Sequence, residues 1–217
     1  MTTLFLMRHG AIENPAAGRF IGQADVALGR DGRLQAEAWH AELRQVAFSV
    51  VWSSDLVRAT ETAGIVFASH AAGVRTSRQL REIHLGQWEG MPRRRVRDEQ
   101  PDLWQARGKD LSGFRPPGGE SFRDLQQRVV APVTRMAAET SGHVGIVTHA
   151  GVIRVLVCHF LEMPLSHLFR IRVDYGSLNI VSHSPERIEV CALNLKPSRY
   201  SRLGGGKIGG PHDPAHV

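Results

Sequence analysis

The chain has 217 residues, a formal net charge of +6 and a pI near 10.1. That length is enough for one domain whose core needs neither metals nor disulfides, and no stretch approaches the roughly 20 apolar residues of a membrane span. The opening MTTLFLM has no basic n-region and too short an apolar run for a signal peptide, so a cytosolic (cytoplasmic) protein with no membrane partner is expected.

Cys158 and Cys191 sit in apolar surroundings without CxxC or Cys/His ligand spacing, and read as free thiols in a reducing compartment. Arginine greatly outnumbers lysine, which suits bidentate capture of phosphate or carboxylate. An anionic partner follows. Charge alone does not choose between nucleic acid and a small phosphorylated metabolite.

In chain order, short apolar runs over 3–7, 48–52 and 144–148 read as buried strands. Between them, helical spacing covers 31–46, 56–69 and 121–139, the last through Phe122, Leu125, Val129, Val133 and Met136. Ser121 with Asp124 predicts a capping box at the start of that helix, and Pro132 predicts a kink within it. A helix over 152–161 and two late strands over 177–182 and 188–193 complete the order. Alternating strands and helices predict a three-layer α/β/α sandwich around a mostly parallel sheet.

One domain is expected over 1–195. From Lys196 on, the tail holds GGGKIGGPHDP without apolar periodicity and is expected to be disordered. Its glycines and Lys207 do not make a phosphate loop, because no strand precedes them, no helix follows and Lys207 lacks a following Ser or Thr.

Ligands of open α/β sheets sit beyond the carboxyl ends of the strands. The first strand ends in Arg8-His9-Gly10 and the second in Ser53-Ser54-Asp55 with Arg58 one turn into the next helix. The third ends in His149-Ala150-Gly151. Each triplet alone has a bland reading as a turn, a hydrogen-bonded structural histidine or a solvated charge. If the strands are neighbours, two imidazoles and two guanidiniums form a cationic cup that repels itself unless an anion fills it, with helix N-termini adding N–H donors. The natural occupant is a phosphoryl group.

The stretches LMRHG, FIGQADVALGRDGRLQA, VWSSDLVRATETA, LREIHLGQWEG, PPGGESFRDLQQRV and VTHAGVIRVL, in that order, resemble the histidine phosphatase superfamily, also called phosphoglycerate-mutase-like, over roughly 3–195. The resemblance implies that His9 is the nucleophile that becomes a phosphohistidine, with Arg8, Arg58 and His149 on the equatorial oxygens. Elementary chemistry agrees: a neutral imidazole offers a ring lone pair provided the proton on the other nitrogen is held by an acceptor. No metal and no cofactor are then needed, since fixed cationic groups supply the charge stabilisation.

Glu82 corresponds to the family's proton donor, flanked by Ile83, Leu85 and Trp88. The competing reading is a surface glutamate paired with Arg81. Asn14, Gln23, Ser54 and Ala150 are expected as further phosphate or substrate contacts.

The sequence departs from the family pattern at Ala11 after the Arg-His-Gly, at Asn14 with Pro15 in the usual asparagine place, at Gly29 as helix N-cap, and at Ala150 for the usual glycine. Ala150 therefore calls for a negative φ or slight strain.

The segment at about 90–117 is expected to form a lid. Its Arg93, Arg94, Arg95, Arg97 and Arg115 could steer an anionic substrate, and Trp104 or Phe114 could stack on a flat ring, against the alternative of a solvated helix face and a packed tryptophan. Compact size and GQADVAL look most like α-ribazole phosphatases and similar broad phosphomonoesterases.

The expected activity is thus metal-independent hydrolysis of a small phosphomonoester, α-ribazole 5'-phosphate or a sugar phosphate among the candidates, with no nucleic-acid partner. A 2,3-bisphosphoglycerate-dependent phosphoglycerate mutase and a non-catalytic basic binding protein remain the alternatives. Oligomeric state is left open, a homodimer included.

Overall fold

The computed structural model describes residues 1–13, 18–71 and 73–197. Its six-stranded sheet runs β3-β2-β4-β1-β5-β6, built from β1 (Thr2–Arg8), β2 (Phe48–Ser54), β3 (Val74–Ser77), β4 (Gly142–Thr148), β5 (Leu178–His183) and β6 (Ile188–Leu195). The pairs β1–β4, β2–β4 and β2–β3 are parallel, whereas β5 lies antiparallel to β1 and β6 antiparallel to β5. The sheet is mixed α/β and mostly parallel, as the sequence predicts.

Side-chain alternation sorts the strands onto two cores. Leu4 and Leu6 of β1 and Val144 and Ile146 of β4 face Leu125, Val129, Val133 and Val152, on α5 (Phe122–Ala138) and α6 (Ala150–Phe160). Phe5, Met7, Val51 and Val147 face Trp39, Leu43, Ala63 and Val66, on α1 (Arg30–Leu43) and α2 (Val57–Val66). Both faces are covered, so the strands read as near-continuous apolar runs.

The helix ends follow from local chemistry. Ser121 and Asp124 form the expected capping box at α5, and Gly29 is the N-cap of α1. Residue 132 lies inside α5, which continues through the proline. Helix α6 begins two residues earlier than periodicity indicates, with His149 as its N-cap residue, and Ala150 is not among the positive-φ residues.

One strand and two helices escape the sequence reading. Strand β3 is a four-residue edge piece, mostly exposed, so it carries no apolar signature. The segment after Trp88 folds into α3 (Arg93–Glu99) and α4 (Pro101–Lys109), packed on a small third core of Phe20, Trp88 and Val96. Of the tail, residues 198–217 lie outside the described residues. Lys196, at its start, donates from Nζ to the Tyr175 carbonyl oxygen at 3.2 Å.

Candidate active site

Sheet register brings the strand ends together. Arg8 is level with Thr148 across β1 and β4, and Ser53 with Val147 across β2 and β4, so the residues that follow meet at one edge. The rings of His9 and His149 lie 5.1 Å apart, and His9, Arg58 and His149 are each at most 4% exposed. His9 and Arg58 line a cavity of about 450 Å³ together with Arg8, Glu82, Ala150 and Gly151, whereas His149 lies behind His9 and is not on the lining.

Gly10 matters for packing rather than for ligand approach. A Cβ there would meet the Gly32 carbonyl oxygen at 2.5 Å and the Gly32 Cα at 2.7 Å, so the turn after β1 rests directly on the first turn of α1. The amide of Gly10 is held by Thr62 Oγ1 at 3.1 Å, and that hydroxyl donates in turn to the Arg58 carbonyl at 2.7 Å.

His9 hydrogen-bonds the Gly10 carbonyl oxygen through Nδ1 at 2.8 Å. A carbonyl only accepts, so Nδ1 carries the proton and the lone pair is on Nε2. Burial, then the neighbouring Arg58 and Arg8 guanidiniums, push the His9 pKa well below its ordinary value. The ring is neutral and nucleophilic at physiological pH.

Each guanidinium is anchored at its far end. Arg8 donates through Nη1 to the Val173 carbonyl at 2.8 Å and lies 3.6 Å above the Tyr175 ring. Arg58 donates to the carbonyls of Ala24 and Gly22, both at 2.7 Å. Yet Nε of Arg8, Nε of Arg58 and Nδ1 of His149 are buried without a partner. Buried N–H groups are normally satisfied, so the two unpartnered guanidinium N–H groups beside His9 mark a place for an anion's oxygens, and His149 Nδ1 adds a third donor in the tautomer where Ser54 donates to Nε2.

The histidine at the third strand end is also held neutral, by burial first and then by His9, Arg58 and Arg8. Its Nε2 meets Ser54 Oγ at 2.9 Å, and Oγ also accepts the Leu56 amide at 3.3 Å.

Glu82 accepts the amides of Ile83 through Oε1 at 2.9 Å and Gly151 through Oε2 at 3.1 Å. It is not paired with Arg81. That arginine forms a two-pronged bridge to Asp55 at 2.7 and 2.6 Å, holding the chain just before Glu82. The Arg128 Nη2 and Gln23 Nε2 groups both donate to the Glu82 carbonyl, at 3.2 and 3.0 Å.

Several predicted contacts are displaced. Gln23 spends its amide on that carbonyl and does not line the cavity, and Ser54 is fully buried behind His149. Ala150 does line the cavity, at the start of α6, whereas Asn14 lies outside the described residues. At the N-terminus of α2 the first amide, Val57, is already taken by Asp25 Oδ1 at 2.8 Å.

Of the six arginines of the 90–117 segment, Arg93 and Arg107 line the cavity, and of the five singled out from the sequence only Arg93 does. Arg94 and Arg97 pair with Asp98, Arg95 with Glu99, and Arg115 with Asp124. Phe114 lines the cavity and Trp104 does not; Phe114 and Phe20 each stack on Trp88 at 5.3 Å. The sequence reading passed over Tyr175, Arg154, Arg19 and Arg107. Tyr175 had no local signal: it reaches His9, ring to ring at 5.5 Å, because β5 pairs with β1 and the Gly176 amide donates to the His9 carbonyl.

The sequence matches the histidine phosphatase superfamily (branch 1) model over residues 4–196. The chain belongs to that superfamily. It is 32% identical over 174 residues to the adenosylcobalamin/alpha-ribazole phosphatase of Salmonella typhimurium, covering 80% of this chain and 86% of that one. It is 32% identical over 173 residues to the glucosyl-3-phosphoglycerate phosphatase of Mycobacterium tuberculosis, with 76% and 77% covered. The alpha-ribazole phosphatase structure from Shigella flexneri superposes with a TM-score of 0.82 at 29% identity, over 89% of this chain and 96% of that one. As a histidine phosphatase the protein is an enzyme, and its fold is that of phosphoglycerate-mutase-like phosphatases. Among the described residues no helix is long and apolar enough to cross a membrane.

Proposed function

We propose that the protein hydrolyses a small phosphomonoester in two steps through a phosphohistidine on Nε2 of His9, without a metal. The observation that carries this reading is His9 itself, buried, neutral, with its proton tied to the Gly10 carbonyl and its other nitrogen free beside the unpartnered Nε–H groups of Arg8 and Arg58.

In the first step Nε2 attacks phosphorus as the bond to the ester oxygen breaks, and Glu82 gives that oxygen a proton. The ring becomes cationic as it takes the phosphoryl group, and the Gly10 carbonyl on Nδ1–H stabilises it. Arg8, Arg58 and His149 meet the equatorial oxygens, where charge is spread in a loose transition state. In the second step water attacks phosphorus, its proton passes to Glu82 and the P–N bond breaks, restoring neutral His9 and releasing inorganic phosphate. The positive charge that magnesium supplies elsewhere comes here from guanidiniums fixed by backbone carbonyls.

The relatives named as alpha-ribazole and glucosyl-3-phosphoglycerate phosphatases support a phosphorylated small molecule as the substrate class, α-ribazole 5'-phosphate or a sugar phosphate among them. The test is turnover with EDTA present. His9→Ala should abolish it, and Glu82→Gln should slow alkyl phosphates by about 10²-fold or more but p-nitrophenyl phosphate far less, because that leaving group departs unprotonated. Equal losses on both esters would remove Glu82 from the proton-donor role.

A further inference from the structure

Six arginines line the cavity against two glutamates. Glu82 is engaged by the Ile83 and Gly151 amides, and Glu120 by Arg128 at 2.8 and 2.9 Å. The phosphoryl site described above uses Arg8 and Arg58.

A second group lies toward the 90–117 segment. The Arg93 guanidinium is 5.5 Å and that of Arg107 5.8 Å from the centre of the same Phe20 ring. Neither makes an ion pair with a carboxylate among the described residues, unlike Arg94, Arg95 and Arg97 on the adjoining surface. Arg107 is half-buried, and burial together with the charge of Arg93 lowers its pKa. Arg19 joins them on the lining, tied through Nη1 to the Gly90 carbonyl at 2.8 Å.

Like charges set around one ring at the mouth of a cavity oppose each other, only partly screened by solvent, and an anion between them relieves that repulsion. The ring offsets part of that repulsion by cation–π attraction, worth roughly 0.5–2 kcal/mol per pair, but it does not discharge it.

We infer that Arg93 and Arg107, supported by Arg19, form a second anion subsite, so that the preferred substrates are phosphomonoesters carrying a further carboxylate or phosphate. This inference rests on the phosphatase reading above and narrows it: a neutral leaving group leaves these guanidiniums unanswered. It also accounts for why Arg93 alone, of the arginines in α3, borders the cavity, at its exposed mouth. It begins the helix beside the Gly18 carbonyl, which accepts its amide at 2.6 Å, and so faces the cavity rather than the acidic pair Asp98–Glu99.

The experiment compares kcat/KM within matched pairs: glycerol 3-phosphate against 3-phosphoglycerate for the carboxylate, and fructose 6-phosphate against fructose 1,6-bisphosphate for the second phosphate. The doubly anionic member of at least one pair should be preferred by roughly tenfold or more, the scale of one added charge-assisted contact. Whichever pair shows the preference identifies the group.

Arg107→Gln and, independently, the exposed Arg93→Gln should each pull that ratio toward one, and Arg107→Lys should keep part of it. Arg95→Gln, on the outer face with Glu99, should leave it unchanged. A wild-type ratio near one in both pairs, or an equal loss in Arg95→Gln, overturns the subsite. Failure to turn over any of these esters or p-nitrophenyl phosphate overturns the phosphatase reading instead.

Discussion

Oε2 of Glu82 accepts the backbone amide of Gly151 at 3.1 Å, and a Cβ at position 151 would run into Oε1 of the same carboxylate. The first turn of α6 therefore leaves room for the carboxylate and also holds it. Glycine at 151 is required here by a side chain opposite it, not by its own backbone, since its φ is not positive.

Gly151→Ala follows directly from this. The atom in the way is the end of a flexible side chain, so the fold should give at little cost, roughly 1 kcal/mol or less. The carboxylate must swing away, and alkyl phosphate hydrolysis should fall about tenfold or more while p-nitrophenyl phosphate is largely spared. Paired steady-state assays and thermal melts check both halves. A large loss of stability with an unchanged leaving-group ratio would contradict the placement of Glu82.

Gly32→Ala has the opposite profile. There the added Cβ meets the backbone of Ala11, including its amide nitrogen at 2.8 Å, and a main chain cannot step aside as a carboxylate does. Gly10 and Gly32 lock the turn after β1 against α1, so the variant should lose roughly 2–3 kcal/mol by denaturant unfolding. Retention of wild-type stability would show that this contact is looser than described.

His9 and His149 couple stability to pH. Both are held neutral in the fold by burial and by nearby cations, so their native pKa values lie below the ordinary value of 6.5. As pH falls through about 6.5 the unfolded chain takes up protons that the native state refuses, and stability declines by up to about 1.4 kcal/mol per pH unit for each histidine. Above that pH both states are neutral and the contribution is constant. Denaturant unfolding between pH 8 and 5 should therefore show a steeper acid decline for the wild type than for His149→Gln, by about one proton. Equal slopes would mean that His149 titrates normally in the fold.

The catalytic end of the sheet was legible because each strand is a buried apolar run that stops at polar residues, a contrast composition alone exposes. Leu6-Met7 giving way to Arg8-His9, and Val147-Thr148 to His149, are local signals, and parallel pairing then does the gathering. Contacts made through another element were not legible. Gln23 and Ser54 carry the right functional groups, yet one supports the Glu82 carbonyl and the other the second histidine, choices fixed by tertiary register. Tyr175 and Arg107 reach the cavity from segments with no motif at all. Strand β3 was missed because an exposed edge strand has no apolar face to announce it.

The central claim is that the phosphoryl group rests on Nε2 of His9 between the two half-reactions. Wild-type enzyme mixed with a good substrate, quenched in alkali within its first turnovers and analysed by intact and peptide mass spectrometry, should carry one phosphoryl group on the peptide containing His9. Phosphorus NMR should assign it to the nitrogen remote from the Gly10 carbonyl. His9→Ala should show no adduct. Turnover at the wild-type rate with no adduct under conditions that make its breakdown rate-limiting, or an adduct on Nδ1 or on another residue, would contradict the account.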